Sequence, residues 1–140
     1  MFRKLLSTDR DSATILIRLM VGVVFLSEGV QKFLFPDDRG VGRFEKLGLP
    51  EPEMLGNLVG FIEINCGFLI LVGLVTRLAA APLIIIMLSA FLATKVEILA
   101  DQGVWEMLHA SRTDWAMLLG SIFLLIKGGG RWSTDRLLVK

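Results

Sequence analysis

The stretch from Ala13 to Phe35 holds more than twenty residues, of which only Arg18, Glu28 and Lys32 are charged. A helix needs about 20 apolar residues to cross roughly 30 Å of hydrocarbon, so the run reads as a membrane span. Asp9, Asp11 and Ser12 precede it and suit a helix start, and Pro36-Asp37-Asp38 stops it. A second span is expected over about 54–75, with Glu63, Asn65 and Cys66 inside it. A third is expected over about 78–99, with Pro82 close enough to its first turn to be tolerated. Only Thr76 and Arg77 separate these two, which predicts a tight antiparallel hairpin.

The fourth run is short. Its uncharged part, Trp115 to Ile126, would reach only about 18 Å at the helical rise. Crossing therefore requires extension back to about Met107, giving 107–127 and drawing His109, Arg112 and Asp114 to membrane depth. A hydrophobic content of 54% and a mean hydropathy of +0.65 fit this all-α expectation of one four-transmembrane-helix antiparallel bundle. The start MFRKLL is not read as a cleaved leader, because Arg18 and Glu28 interrupt the apolar segment behind it.

Basic residues set the expected orientation. Arg3, Lys4, Arg10, Arg77, Lys127, Arg131, Arg136 and Lys140 gather at the two termini and the 76–77 turn, whereas the opposite connections mix bases with acids. Both termini are thus expected on the cytoplasmic side of a bacterial-type plasma (inner) membrane. A formal net charge of +1 without a basic block excludes nucleic acid as the expected partner. The single cysteine, Cys66, excludes an intrachain disulfide or a CxxC pair, and the single histidine, His109, excludes bis-histidine haem within one chain. No intrinsic cofactor or metal ligand set is expected.

Counting turns places the intramembrane charges in the outer half: Glu28 and Lys32 on the first helix, Glu63 on the second, Lys95 on the third, and His109, Arg112 and Asp114 on the fourth. An unpaired charge at the bilayer centre costs on the order of 3 kcal/mol, so these groups should face one another. Glu28 and Lys32, four residues apart, are expected to share a face, either as a structural ion pair that fixes register or as one wall of a polar chamber, with Glu63 opposite, that binds a headgroup or moves a proton. These seven residues are the candidate ligand-binding or proton-handling set; no catalytic residue is assigned. Arg18 is read as structural, snorkelling to the headgroups. Cys66 is read as a packed apolar residue, and Gly22, Gly29, Gly67, Gly73 and Gly120 as helix-contact points. The stretch 44–50 is a candidate interfacial helix on the outer side.

From Arg18 to Asp135 the chain resembles the DoxX family of small four-helix membrane proteins. The resemblance is carried by Gly29, Lys32 and Phe33 at the end of helix one, Glu63 and Gly67 in helix two, and Gly73, Thr76, Arg77, Ala79 and Ala80 at the hairpin. Gly128, Gly130, Ser133 and Asp135 complete it near the C-terminus. The family is named for a membrane subunit of an archaeal quinone-linked thiosulfate oxidation system, and relatives are linked to redox stress, transport or protein assembly. The resemblance thus implies two classes of function. In the first, an accessory subunit of a redox system binds a quinone or other amphipathic ligand: Lys32, His109 or Arg112 donates to the headgroup and Glu28 or Glu63 exchanges protons. Lacking its own flavin, haem or thiol motif, such a subunit needs a redox partner protein. In the second, a non-enzymatic membrane protein serves assembly, lipid binding or small-solute transport. Self-association is compatible with the glycine faces.

Overall fold

The computed structural model describes residues 1–140 and is all-helical. Its elements are α1 (Phe2–Leu5), α2 (Thr14–Leu34), α3 (Pro36–Arg39), α4 (Val41–Lys46), α5 (Pro52–Val72), α6 (Thr76–Gln102), α7 (Val104–Ala110), α8 (Arg112–Lys127) and α9 (Thr134–Leu138). Three helices, α2, α5 and α6, are long and apolar enough to cross a membrane. The four longest helices pack in the cyclic order α2, α5, α6, α8 and back to α2.

Only 30 of 140 residues are buried, while Phe61, Phe68, Ile85 and Leu92 lie outward, each more than half exposed. In water such a surface would be an aggregation hazard; in a bilayer it is the solvated one. The core is correspondingly small, running from Val21 and Phe25 through Ile70, Ala79, Ala80 and Leu83 to Met117 and Leu124. Because lipid is as apolar as leucine, helices in it associate through close packing rather than hydrophobic exclusion. The α2–α5 seam follows that rule. Gly22 lies opposite Leu71, Gly29 opposite Ile64, and Phe33 opposite Gly60, so each step up α2 is matched by a step down α5. A Cβ added at Gly67 would stand 2.7 Å from the Leu26 amide nitrogen, inside contact distance of rigid backbone.

Three of the expected helix boundaries need correction. The third helix begins at Thr76 rather than Leu78 and continues to Gln102, past the expected 99, for a length of about 40 Å. Pro82 is therefore in the helix interior instead of its first turn, and withholds the N–H that Leu78 would otherwise receive. The expected span 107–127 is interrupted: α7 ends at Ala110, and Ser111 (φ −98°, ψ 6°) separates it from α8. The Ser111 hydroxyl bonds back to the Met107 carbonyl at 2.7 Å beside the Ser111 N–H at 3.0 Å, a back-bond of the kind that bends helices. As a result α8 is about 24 Å long. The first two helices, 14–34 and 52–72, lie within a few residues of expectation. The stretch 44–50 contributes only the end of α4.

The N-terminus, the α5–α6 turn and the C-terminus meet at one end of the molecule. There Asp9 accepts from Lys127 Nζ at 2.9 Å, and the Asp9 N–H donates to the Lys127 carbonyl at 2.9 Å. The Lys127 ammonium is the main reason the Asp9 carboxyl is held below the usual carboxylate range. A carboxyl depressed in the folded state stabilises above its ordinary value of about 3.9, and that contribution is lost as pH falls through the lowered one. The melting temperature of wild type is therefore expected to drop slightly more between pH 5 and pH 3 than that of Asp9→Asn. Identical pH profiles would remove the tether from the stability of this end. The effect is small because both side chains are solvated.

Candidate functional site

Close approach of α2 and α5 brings two charges together across the seam. Gly60 leaves room for Phe33 and for the Lys32 stem to lie over α5. Lys32 Nζ thereby reaches Glu63 Oε2 at 2.8 Å, with the two side chains 12% and 5% exposed. The pairing departs from the Glu28–Lys32 ion pair of the register-fixing reading and sets Lys32 against Glu63 instead. Glu28 is exposed and makes no ion pair, because the cross-helix carboxylate lies in the low-dielectric seam where attraction to the ammonium is stronger than at the rim. Its charge lies one turn before Lys32 on α2.

The Glu63 carboxylate is underused. No backbone or hydroxyl group donates to it, and Lys32 supplies its one close contact. An ionised carboxylate has about four acceptor positions and an ammonium three donors. Both partners thus keep hydrogen-bonding capacity in a place where water is scarce.

A second pair lies on the opposite side of the helix ring, between α6 and α8. Lys95 Nζ is 3.0 Å from Asp114 Oδ2, with both side chains mostly buried. Asp114 sits in the first turn of α8, where the helix dipole favours a carboxylate. Phe91 and Trp115 stack edge-to-face beside this pair, with ring centroids 5.3 Å apart. His109 and Arg112 are exposed; the Arg112 Nη1 turns back to donate to the His109 carbonyl at 2.6 Å, capping α7. Six of the seven candidate residues lie in the half remote from the termini, and Glu63 lies at the middle of α5. Four of them form two cross-helix pairs, Lys32–Glu63 and Lys95–Asp114, while Glu28, His109 and Arg112 stand outside both.

The most connected polar side chain lies elsewhere. Arg18 is 2% exposed and does not snorkel. Its Nε donates to the Ile70 carbonyl at 2.9 Å, which also accepts from the Gly73 N–H, and its Nη2 to the Leu71 carbonyl at 2.6 Å, both in the last turn of α5. Its Nη1 donates to the carbonyls of Gly129 and Trp132. Gly73 makes room: a Cβ there would meet the guanidinium at 2.8 Å. Alongside, the fully buried Asp135 accepts from the Val75 and Thr76 N–H groups at 2.6 and 2.9 Å, capping α6 from sixty residues away. Thr134 Oγ1 donates to the Val72 carbonyl at 2.7 Å, and the Asp135 N–H to that of Gly73 at 2.8 Å. Val75 is held at φ 44°, a left-handed conformation that a β-branched residue adopts only when its surroundings enforce it. The fork geometry of arginine and the two oxygens of aspartate make this a structural clasp. Sequence reasoning recognised these residues without assigning the clasp. The available signal was an S-x-D behind paired glycines, a helix-cap pattern without a long helix of its own to cap.

The DoxX profile matches residues 13–96, which includes the Lys32–Glu63 pair, Arg18 and the hairpin. Across 98% of the chain and 88% of the relative, the sequence is 51% identical to the uncharacterized membrane protein Rv3486 of Mycobacterium tuberculosis. It is 24% identical, over 93% of the chain and 90% of the relative, to CatD of Bacillus subtilis, which is provisionally named an oxidoreductase. No solved structure matches. With the profile spanning more than half its length and half its residues shared with a full-length relative, the chain belongs to the DoxX family.

Proposed function

We propose that the protein crosses the membrane four times with both termini cytoplasmic, and holds the polar head of an amphipathic ligand of the quinone class at Lys32 and Glu63. In this reading it is an accessory subunit of a redox-linked system in the bacterial inner membrane. The observation that carries it is the pair itself: a carboxylate 5% exposed that has one close partner and spare acceptor positions, beside an ammonium with spare donors. A carbonyl or hydroxyl headgroup could use both, and Glu28, exposed one turn away, supplies a proton exchanger at the rim. The apolar outer surface gives an isoprenoid or acyl tail a compatible medium. The similarity to CatD supports the redox link. A separate protein would carry the electrons.

The test is mass spectrometry of the organic extract from protein purified gently in native lipid, comparing wild type with Lys32→Met/Glu63→Leu and with Glu28→Gln. The expected result is a stoichiometric amphiphile in wild type that is lost from the double variant. Ordinary phospholipid in equal amounts in all three, with folding unchanged, would overturn the ligand reading. The weight would then move to a non-enzymatic role in assembly, lipid binding or solute passage.

A further inference from the structure

At the end that gathers the termini, the chain leaving α8 folds back over the start of the sequence. Gly128 and Gly130 take positive φ, the Arg131 N–H donates to the Asp11 carbonyl, and the Ser133 side chain caps α9. The fold-back borders an open cavity of about 530 Å³ lined by Arg10, Arg131, Trp132, Arg136, Leu137 and Lys140.

Four of these six residues are cationic and none is acidic. None of the four cations makes an ion pair within the chain. Nor do their side chains make hydrogen bonds to protein groups, although the backbone around them is well bonded. The nearby carboxylates are engaged elsewhere: Asp9 with Lys127, Asp11 with the Ala13 N–H, and Asp135 with the start of α6. Assembling unpaired like charges around one concavity is unfavourable, and an anion in the cavity would offset that repulsion.

The rim identifies the anion's setting. Trp132 is 64% and Leu137 67% exposed, beside the cations. Trp132 lies in the loop after α8 and Leu137 in α9, at the end of the molecule where the apolar helices stop and where tryptophan and arginine favour the membrane interface. Guanidinium groups match phosphate oxygens in pairs.

We propose that this cavity is a binding site for a phosphate-ester anion, and that the apolar rim selects the headgroup of an anionic phospholipid. The site stands at the opposite end of the molecule from Lys32–Glu63 and rests on the chain's membrane location, so it holds whether or not the quinone-class reading does. With both termini cytoplasmic, it would face the leaflet surface on which anionic lipid attracts basic segments.

Full-length protein in nanodiscs of phosphatidylcholine doped with phosphatidylglycerol provides the test, with retained lipid counted by native mass spectrometry. Titration with soluble glycerol phosphate forms the second arm. Wild type is expected to retain phosphatidylglycerol over phosphatidylcholine, and Arg131→Gln/Arg136→Gln to lose that preference by roughly thirtyfold, as two interfacial cations imply. Arg3→Gln/Lys4→Gln removes the same charge from exposed residues at this end outside the cavity, and should leave the preference unchanged. Retention of phosphatidylglycerol without glycerol phosphate binding supports a lipid headgroup. Equal binding of both supports the phosphate-ester site and overturns selection by the rim. No preference in wild type, or an equal loss in both variants, overturns the site.

Discussion

Arg18→Met is expected to lower the apparent melting temperature in detergent by about 15 °C, and Arg18→Lys by roughly half of that. The guanidinium serves four carbonyls, of Ile70, Leu71, Gly129 and Trp132, of which Ile70 also holds the Gly73 N–H. Leaving a buried acceptor without a donor costs about 1–3 kcal/mol, and such losses around one site are not additive, so a total on the order of 4 kcal/mol is reasonable. At about 4 °C per kcal/mol for a chain of this size, that gives the expected shift. Lysine keeps the charge but offers a single ammonium, which cannot reach both the α5 end and the C-terminal loop. Thermal unfolding followed by size-exclusion chromatography measures it. An Arg18→Met protein within about 2 °C of wild type would mean that these carbonyls find other donors and that the clasp contributes little.

Lys32→Met should destabilise by about 3 kcal/mol, Glu63→Leu by about 1 kcal/mol, and the double variant by less than Lys32→Met alone. The asymmetry comes from position. Lys32 is two residues from the end of α2, so without Glu63 its flexible stem can carry the ammonium to the interface. Glu63 lies at the middle of α5 with a shorter side chain, so without Lys32 its carboxylate has no such exit. Removing both charges eliminates the unpaired ion that makes the single change costly. A double-mutant cycle in detergent and in nanodiscs measures the coupling. Additive single effects would show that the two groups do not depend on one another, and would weaken the seam as a ligand site.

Hydropathy made the long helices legible, since a 20-residue apolar run has few alternatives to a helix in lipid. Their ends were less so. The break at Ser111 goes with one hydroxyl bonding back onto the helix, and the extension of α6 from 99 to Gln102 carries it past Asp101, where hydropathy gives no signal. The vertical placement of Lys32 and Glu63 could be counted, but their pairing could not. It depends on the α2–α5 register, which the seam glycines set through backbone approach, whereas spacing along α2 favoured Glu28. Arg18 was misplaced for a related reason: snorkelling assumes lipid around the side chain, and the residues that surround it lie more than fifty positions away. Asp135 in turn looks like the opening of a short terminal helix until the hairpin it closes is in view.

The clasp also orders the biosynthesis of the molecule. The α5–α6 turn leaves the ribosome with the Val75 and Thr76 N–H groups uncapped and Val75 in a conformation it does not favour by itself. The carboxylate that closes the turn arrives sixty residues later. Insertion of the early helices is therefore a provisional state until Asp135 latches it, so that a polypeptide cut short of Asp135 carries an open hairpin for membrane proteolysis to find.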